Sequence, residues 1–171
     1  EFKNRKSKVL KSMKEQNLNA LLIFKQESMY WLTGYDTFGY VFFQTLILDN
    51  KGNVILLTRA PDLRQAQNTS NIENIRLWID KDRSNPANDL KDILEELSLK
   101  EKNVGIEYEA YGLTGRNALR LNETLESYCN LEDQSELISK IRVVKSQEEI
   151  VYVKKAAELA DSALDQAWKH T

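Results

Sequence analysis

Five consecutive apolar residues, Ala20-Leu21-Leu22-Ile23-Phe24, constrain this chain most. The run is too short for a buried helix and has no polar alternation, so it reads as a strand covered on both faces. A strand of that kind needs a layer above and a layer below. The rest of the chain must therefore supply helices for both sides of a sheet.

The remaining segments meet that demand. Residues from Asn4 to Gln16 form a basic amphipathic helix with Val9, Leu10 and Met13 on one side. Gln26 to Leu32 reads as a short helix closed by Gly34 as a left-handed cap. Tyr40 to Leu48 is aromatic and β-branched, which favours a strand, and Asp49-Asn50-Lys51-Gly52-Asn53 turns it into a hairpin with Val54 to Leu57. Ala60 to Gln67 is a short helix with Pro61 in its first turn, and Ile75 to Ile79 alternates as a strand. Asn85-Pro86 opens a helix carrying Leu90, Ile93, Leu94 and Leu97 at helical spacing. Val104 to Glu107 is a strand, Leu113 to Leu125 a helix, Asn130 to Asp133 an edge strand, and Leu137 to Ile141 a short helix. The order predicts an α/β domain with a mixed β-sheet flanked by helices on both faces.

Near the C-terminus, Ser146-Gln147-Glu148-Glu149 has the form of a capping box. The helix it starts carries Ile150, Val153, Ala157, Ala160, Ala163, Leu164 and Ala167 as one stripe of small apolar residues. We read residues 1–145 as the domain and 146–171 as a connector helix toward a further domain.

Composition bounds the function. A net charge of −2 gives no electrostatic reason to expect a nucleic acid or an anionic membrane as partner. No apolar run approaches the ~20 residues of a membrane span. The first residues, Glu1-Phe2-Lys3-Asn4-Arg5-Lys6, lack the apolar centre of a signal peptide, so a cytoplasmic location is expected. Cys129 is alone and reads as a buried, inert thiol. The single histidine is His170, so no His-based triad and no His-containing metal cluster is expected within the body. No catalytic residue and no metal ligand is assigned in this chain, and by itself it is expected to be inactive.

The residues with candidate chemistry cluster between Gly34 and Arg59. Tyr35, Asp36, Phe38 and Tyr40 form an aromatic loop with one carboxylate, suited to a cationic or proline-like group. Arg59 is a candidate for gripping a substrate carboxylate, with Arg64 beside it a weaker one. Trp31 and Trp78 read as core or interface anchors. Glu107 and Glu109, two apart on a strand, read as surface carboxylates.

Three stretches resemble the N-terminal domain of the creatinase/prolidase (Xaa-Pro dipeptidase-like) family. They are Ala20 to Phe24 leading to Met29-Tyr30-Trp31-Leu32-Thr33-Gly34-Tyr35, then Gly105-Ile106-Glu107, then Arg142-Val143-Val144-Lys145-Ser146 through Glu149-Ile150 with Lys155-Ala156-Ala157. The resemblance implies a ribonuclease-H-like layering without nuclease activity. It also implies a homodimer, and an N-terminal domain that shapes the partner subunit's substrate pocket. It further implies a C-terminal pita-bread catalytic domain holding two divalent metal ions (Mn, Co or Zn) through two aspartates, a histidine and two glutamates. None of those ligands is assigned here. Gly34 to Gln44 is more aromatic than in many dipeptidases and is similar to ectoine-hydrolase-like and dimethylsulfoniopropionate-lyase-like members. The implied substrate is thus a small peptide or a small zwitterionic compound. The leading expectation is a non-catalytic N-terminal domain of such a hydrolase. The alternative is a free-standing binding or interaction module of the same fold, against which the apolar stripe of the last helix argues.

Overall fold

A computed structural model describes residues 1–170. The elements run α1 (Phe2–Glu15), β1 (Ala20–Ile23), α2 (Gln26–Thr33), β2 (Thr45–Asp49), β3 (Val54–Arg59), α3 (Leu63–Thr69), β4 (Asn74–Trp78), α4 (Pro86–Glu96), β5 (Asn103–Ile106), α5 (Gly115–Leu125), β6 (Asn130–Asp133), α6 (Leu137–Val143) and α7 (Gln147–Lys169). Single 3-10 turns occupy Gly39–Val41 and Ala60–Asp62.

The six strands form one sheet in the order β4-β3-β2-β1-β5-β6. β1 runs antiparallel to β2 and parallel to β5, which makes the sheet mixed. The hairpin β2–β3 is antiparallel, whereas β3–β4 and β5–β6 are parallel pairs joined by helical crossovers. β1 is therefore central, and all four of its residues are buried, which is why its sequence shows no polar alternation.

Alternation along the strands divides the core into two layers. Ala20, Leu22, Phe24, Ile47, Ile55, Leu57, Val104 and Ile106 pack with Leu90, Ile93 and Leu94 of α4 and Leu121 and Leu125 of α5. Leu21, Ile23, Leu46, Leu48 and Leu56 point to the other face and are equally buried, as are Val9 and Met13 of α1 and Met29 and Leu32 of α2. The expected α/β architecture with helices on both faces is present.

Local chemistry explains the element ends. Gly34 caps α2 with φ of 82°, a conformation that costs an L side chain free energy. Asn85 accepts from the Ala87 N–H to start α4, and Thr114 accepts from Asn117 to start α5. One expectation needs correction. Residues 40–44 do not extend β2; they belong to a 3-10 turn and a short link. The turn is held by Asp62 and Arg59, as described below, and these contacts override the β-propensity of the aromatic run.

The chain divides into two compact units, Glu1–Ser139 and Lys140 onward. The second contains α7, whose N-terminus has both halves of the capping box. Ser146 Oγ accepts from the Glu149 N–H at 3.2 Å, and Glu149 Oε2 accepts from the Ser146 N–H at 2.8 Å. None of the residues of α7 is buried.

The central strand sets a stability test. Truncating Leu22 to Ala opens a cavity between two layers and is expected to cost about 3–5 kcal/mol. Truncating Leu119, which is exposed on α5, is expected to cost less than about 0.5 kcal/mol. Urea denaturation monitored by tryptophan fluorescence measures both; equal losses would contradict the placement of the core.

Candidate functional site

The candidate residues cluster at one end of the sheet, on the loops that follow β1, β3 and β5 and the link that enters β2. Two buried carboxylates organise this end.

The first is Glu107. Its Oε2 accepts from the backbone N–H groups of Phe24 (3.1 Å) and Lys25 (2.9 Å), and its Oε1 accepts from the Ser28 hydroxyl at 2.7 Å. It therefore joins the end of β5 to the end of β1 and to the first turn of α2, pairing the N–H groups of the link between them. The sequence reading of Glu107 as a surface carboxylate is corrected: the residue is fully buried. β5 stops at Ile106, so the rule that places residues two apart on one strand face no longer binds Glu107 to Glu109. Glu109 lies in solvent, 3.2 Å from Lys25 Nζ. Burial pushes the Glu107 carboxyl up to about 7, against the opposing pull of its hydrogen bonds from Ser28 and Lys25.

The second is Asp62. Its Oδ2 accepts from Arg59 Nη2 (3.0 Å) and Nε (3.2 Å), and its Oδ1 accepts from the Thr37 hydroxyl at 3.2 Å. The Thr37 hydroxyl also accepts from the Gly39 N–H at 2.8 Å. A Cβ on Gly39 would lie 2.4 Å from Asp62 Oδ1, so a larger residue there would push the Asp62 carboxylate aside. Glycine suits position 39 through this close approach and not through a special turn, since its φ is not positive. The Arg59 guanidinium is stacked 3.5 Å above the Phe42 ring.

The five predicted site residues therefore separate into two groups. Asp36, Phe38 and Tyr40 are exposed, with Phe38 at 88%. Tyr35 is buried, and Arg59 is partly buried and paired. Tyr35 is completely buried, and its hydroxyl donates to Gln44 Oε1 at 2.8 Å, an acceptor it shares with the Thr58 hydroxyl. Burial raises its phenol above the ordinary value. Arg59 is engaged by Asp62 and Phe42 and shapes the loop from below. Arg64 is exposed on α3.

Tyr111 is the residue that sequence reasoning missed. It is 80% exposed and meets Tyr40 edge to face, with ring centroids 6.3 Å apart. Together Phe38, Tyr40, Val41, Phe42 and Tyr111 leave a run of large apolar side chains in solvent. No local signal marks Tyr111, because β5 and its loop reach Tyr40 only through the fold.

The other singled-out residues are structural. Trp78 is buried and donates to the Phe43 carbonyl at 3.0 Å, and Trp31 is buried in α2. Cys129 is buried, and burial pushes its thiol up to about 11, which makes it a poor nucleophile. Among the described residues no three His, Cys, Asp or Glu side chains converge to hold a metal ion. No helix of the described residues is long and apolar enough to cross a membrane.

This architecture has known relatives. The family model for the Creatinase/Prolidase N-terminal domain matches residues 5–144, and the chain belongs to that family. It is 25% identical, over 98% of its length, to an uncharacterized hydrolase/peptidase, y4tM, of Sinorhizobium fredii, and covers 44% of that protein. It is 26% identical, over 93% of its length, to the ectoine hydrolase of Halomonas elongata, covering 41% of it. The solved recombinant prolidase of Thermococcus sibiricus superposes with a TM-score of 0.81 at 22% identity, over 97% of this chain and 43% of that one. The chain thus spans less than half the length of these relatives.

Glu107 yields a pH prediction. Its carboxyl has a raised folded-state pKa, so its contribution to stability is fully present below pH about 4.5 and is lost as the pH rises through about 7. Glu107→Gln keeps an acceptor for both N–H groups and gives Ser28 Oγ a donor. It is expected to match the wild type near pH ~4.5 and to exceed it by up to about 3 kcal/mol at pH ~8. Glu107→Ala orphans both N–H groups and is expected to lose about 2–4 kcal/mol throughout. Urea melts at the two pH values test this; a Glu107→Gln variant that is weaker at high pH would show that the carboxylate form is the stabilising one.

Proposed function

We propose that this chain is the non-catalytic N-terminal domain of a creatinase/prolidase-like hydrolase, where it contributes to dimerisation and shapes the substrate pocket of the partner subunit. The observation that carries this reading is the aromatic loop. Phe38, Tyr40, Val41 and Phe42 are solvent-exposed on a segment that Asp62, Arg59 and Gly39 hold in one shape. A rigid apolar projection of this kind suits an interface, where partner atoms remove it from water.

The substrate class the loop suits is a small zwitterion or a short Xaa-Pro-like peptide. Aromatic faces accept an ammonium or a pyrrolidine ring, and Asp36 adds the charge that orients it. The similarity to an ectoine hydrolase and to prolidases supports that range. The bond-breaking machinery, including two divalent metal ions of the Mn, Co or Zn type, would lie in a C-terminal catalytic domain that this domain serves.

Two measurements bear on the reading. The 171-residue chain alone is expected to turn over no Xaa-Pro dipeptide, with or without added Mn²⁺, Co²⁺ or Zn²⁺. In the full-length enzyme, Phe38→Ala, Tyr40→Ala and Asp36→Asn are each expected to lower kcat/KM by about tenfold, or ~1.4 kcal/mol of transition-state stabilisation, with the dimer intact by sedimentation. Unchanged kcat/KM in all three intact dimers would leave the loop as a cover for the sheet edge and overturn the proposal.

A further inference from the structure

The sheet contains one topological switch point. β1 and β5 are adjacent and parallel, but the chain leaves them in opposite directions: after β1 it turns through α2 toward β2, and after β5 through α5 toward β6. α5 belongs to the core layer that contains Phe24 and Phe43, whereas the buried residues of α2 lie outside that layer. Segments that diverge onto opposite faces leave a crevice beyond the carboxyl ends of their strands, where open α/β sheets bind ligands.

A cleft of about 400 Å³ occupies that position, lined by the residues that follow β1 and β5 and by Tyr40. Its apolar part is Phe24, itself held edge to face by Phe43 at 5.4 Å, together with the Tyr40–Tyr111 pair, whose rings stand at 72° to one another. The pair is positioned by Gly112. A Cβ there would lie 2.9 Å from the Tyr40 carbonyl oxygen and 2.8 Å from that of Phe42, so the two loops touch through backbone. The charged part is Glu27, Glu109 and Lys25. The Lys25 ammonium is already bound to Glu109 at 3.2 Å and to the Ser135 carbonyl at 3.1 Å, which leaves the lining with a net negative charge.

Two nearly perpendicular aromatic rings beside a lining of net negative charge, in which Glu109 is paired with Lys25 and Glu27 is not, attract a soft cation and disfavour an anion. We infer that this cleft binds a small organic cation of the substituted-ammonium class, with Tyr40 and Tyr111 as the aromatic walls and Glu27 as the counter-charge. The inference rests on the proposed substrate-facing loop only in taking this cation to be the cationic end of the substrate. Binding itself is a property of this chain, without dimer or catalytic domain.

The test is a calorimetric titration of the full 171-residue chain with choline and, separately, with neohexanol, its neutral carbon isostere, at constant ionic strength. Choline is expected to bind saturably, at least about tenfold more tightly than the alcohol. Tyr111→Leu, at an exposed position that the fold does not need, is expected to weaken choline by about tenfold, and Glu27→Gln by about threefold. No saturation up to about 100 mM, equal affinity for the alcohol, or unchanged binding in Tyr111→Leu would each overturn the inference. Such a failure is separable from failure of the loop proposal, which is read from the kinetics of the full-length enzyme.

Discussion

The end of this sheet that carries the candidate site depends on one buried carboxyl group. Glu107 receives the N–H groups of Phe24 and Lys25 and the hydroxyl of Ser28, so a single side chain after β5 closes the exit of β1 and starts α2. Without it the Phe24 N–H and the Ser28 hydroxyl would be buried and unpaired, a penalty comparable with a sizeable part of a domain's net stability. Everything that diverges from this point, including the cleft between the β1 and β5 loops, inherits its geometry from that contact.

Asp62 plays the matching part on the other side of the same end. It draws together Arg59, Thr37 and Gly39, and through Arg59 it fixes the Phe42 ring. The aromatic loop is thus not a floppy connection whose side chains happen to be exposed. Its backbone is over-determined from below while its rings remain in solvent, a combination that costs free energy in the isolated domain and makes sense when a partner surface or a small ligand covers the rings.

Membership in the Creatinase/Prolidase N-terminal family accounts for the layered sheet. It does not by itself say which residues meet a ligand. That question turns on the burial of Tyr35, the stacking of Arg59 and the exposure of Tyr111, which are properties of this chain's own packing.

Much of the architecture was legible in local patterns, because those patterns report local physics. The unbroken apolar run at Ala20–Phe24 demanded a central strand, Gly34 demanded a left-handed cap, Asn85-Pro86 opened a helix, and Ser146 with Glu149 formed the capping box. The site was only partly legible. Asp36, Phe38 and Tyr40 are exposed as the loop composition suggested, but Tyr35 turns inward, where its hydroxyl donates to Gln44, and residues 40–44 leave the strand where Arg59 stacks on Phe42. Glu107 became a buried hub, and Tyr111 a wall of the cleft, through contacts with residues some 70 to 80 positions away in the chain. The sequence by itself determined the elements and their layers, since helix and strand periods are written within a few residues. Only the tertiary structure decided which polar and aromatic side chains face inward, because that depends on partners brought together by the sheet order β4-β3-β2-β1-β5-β6.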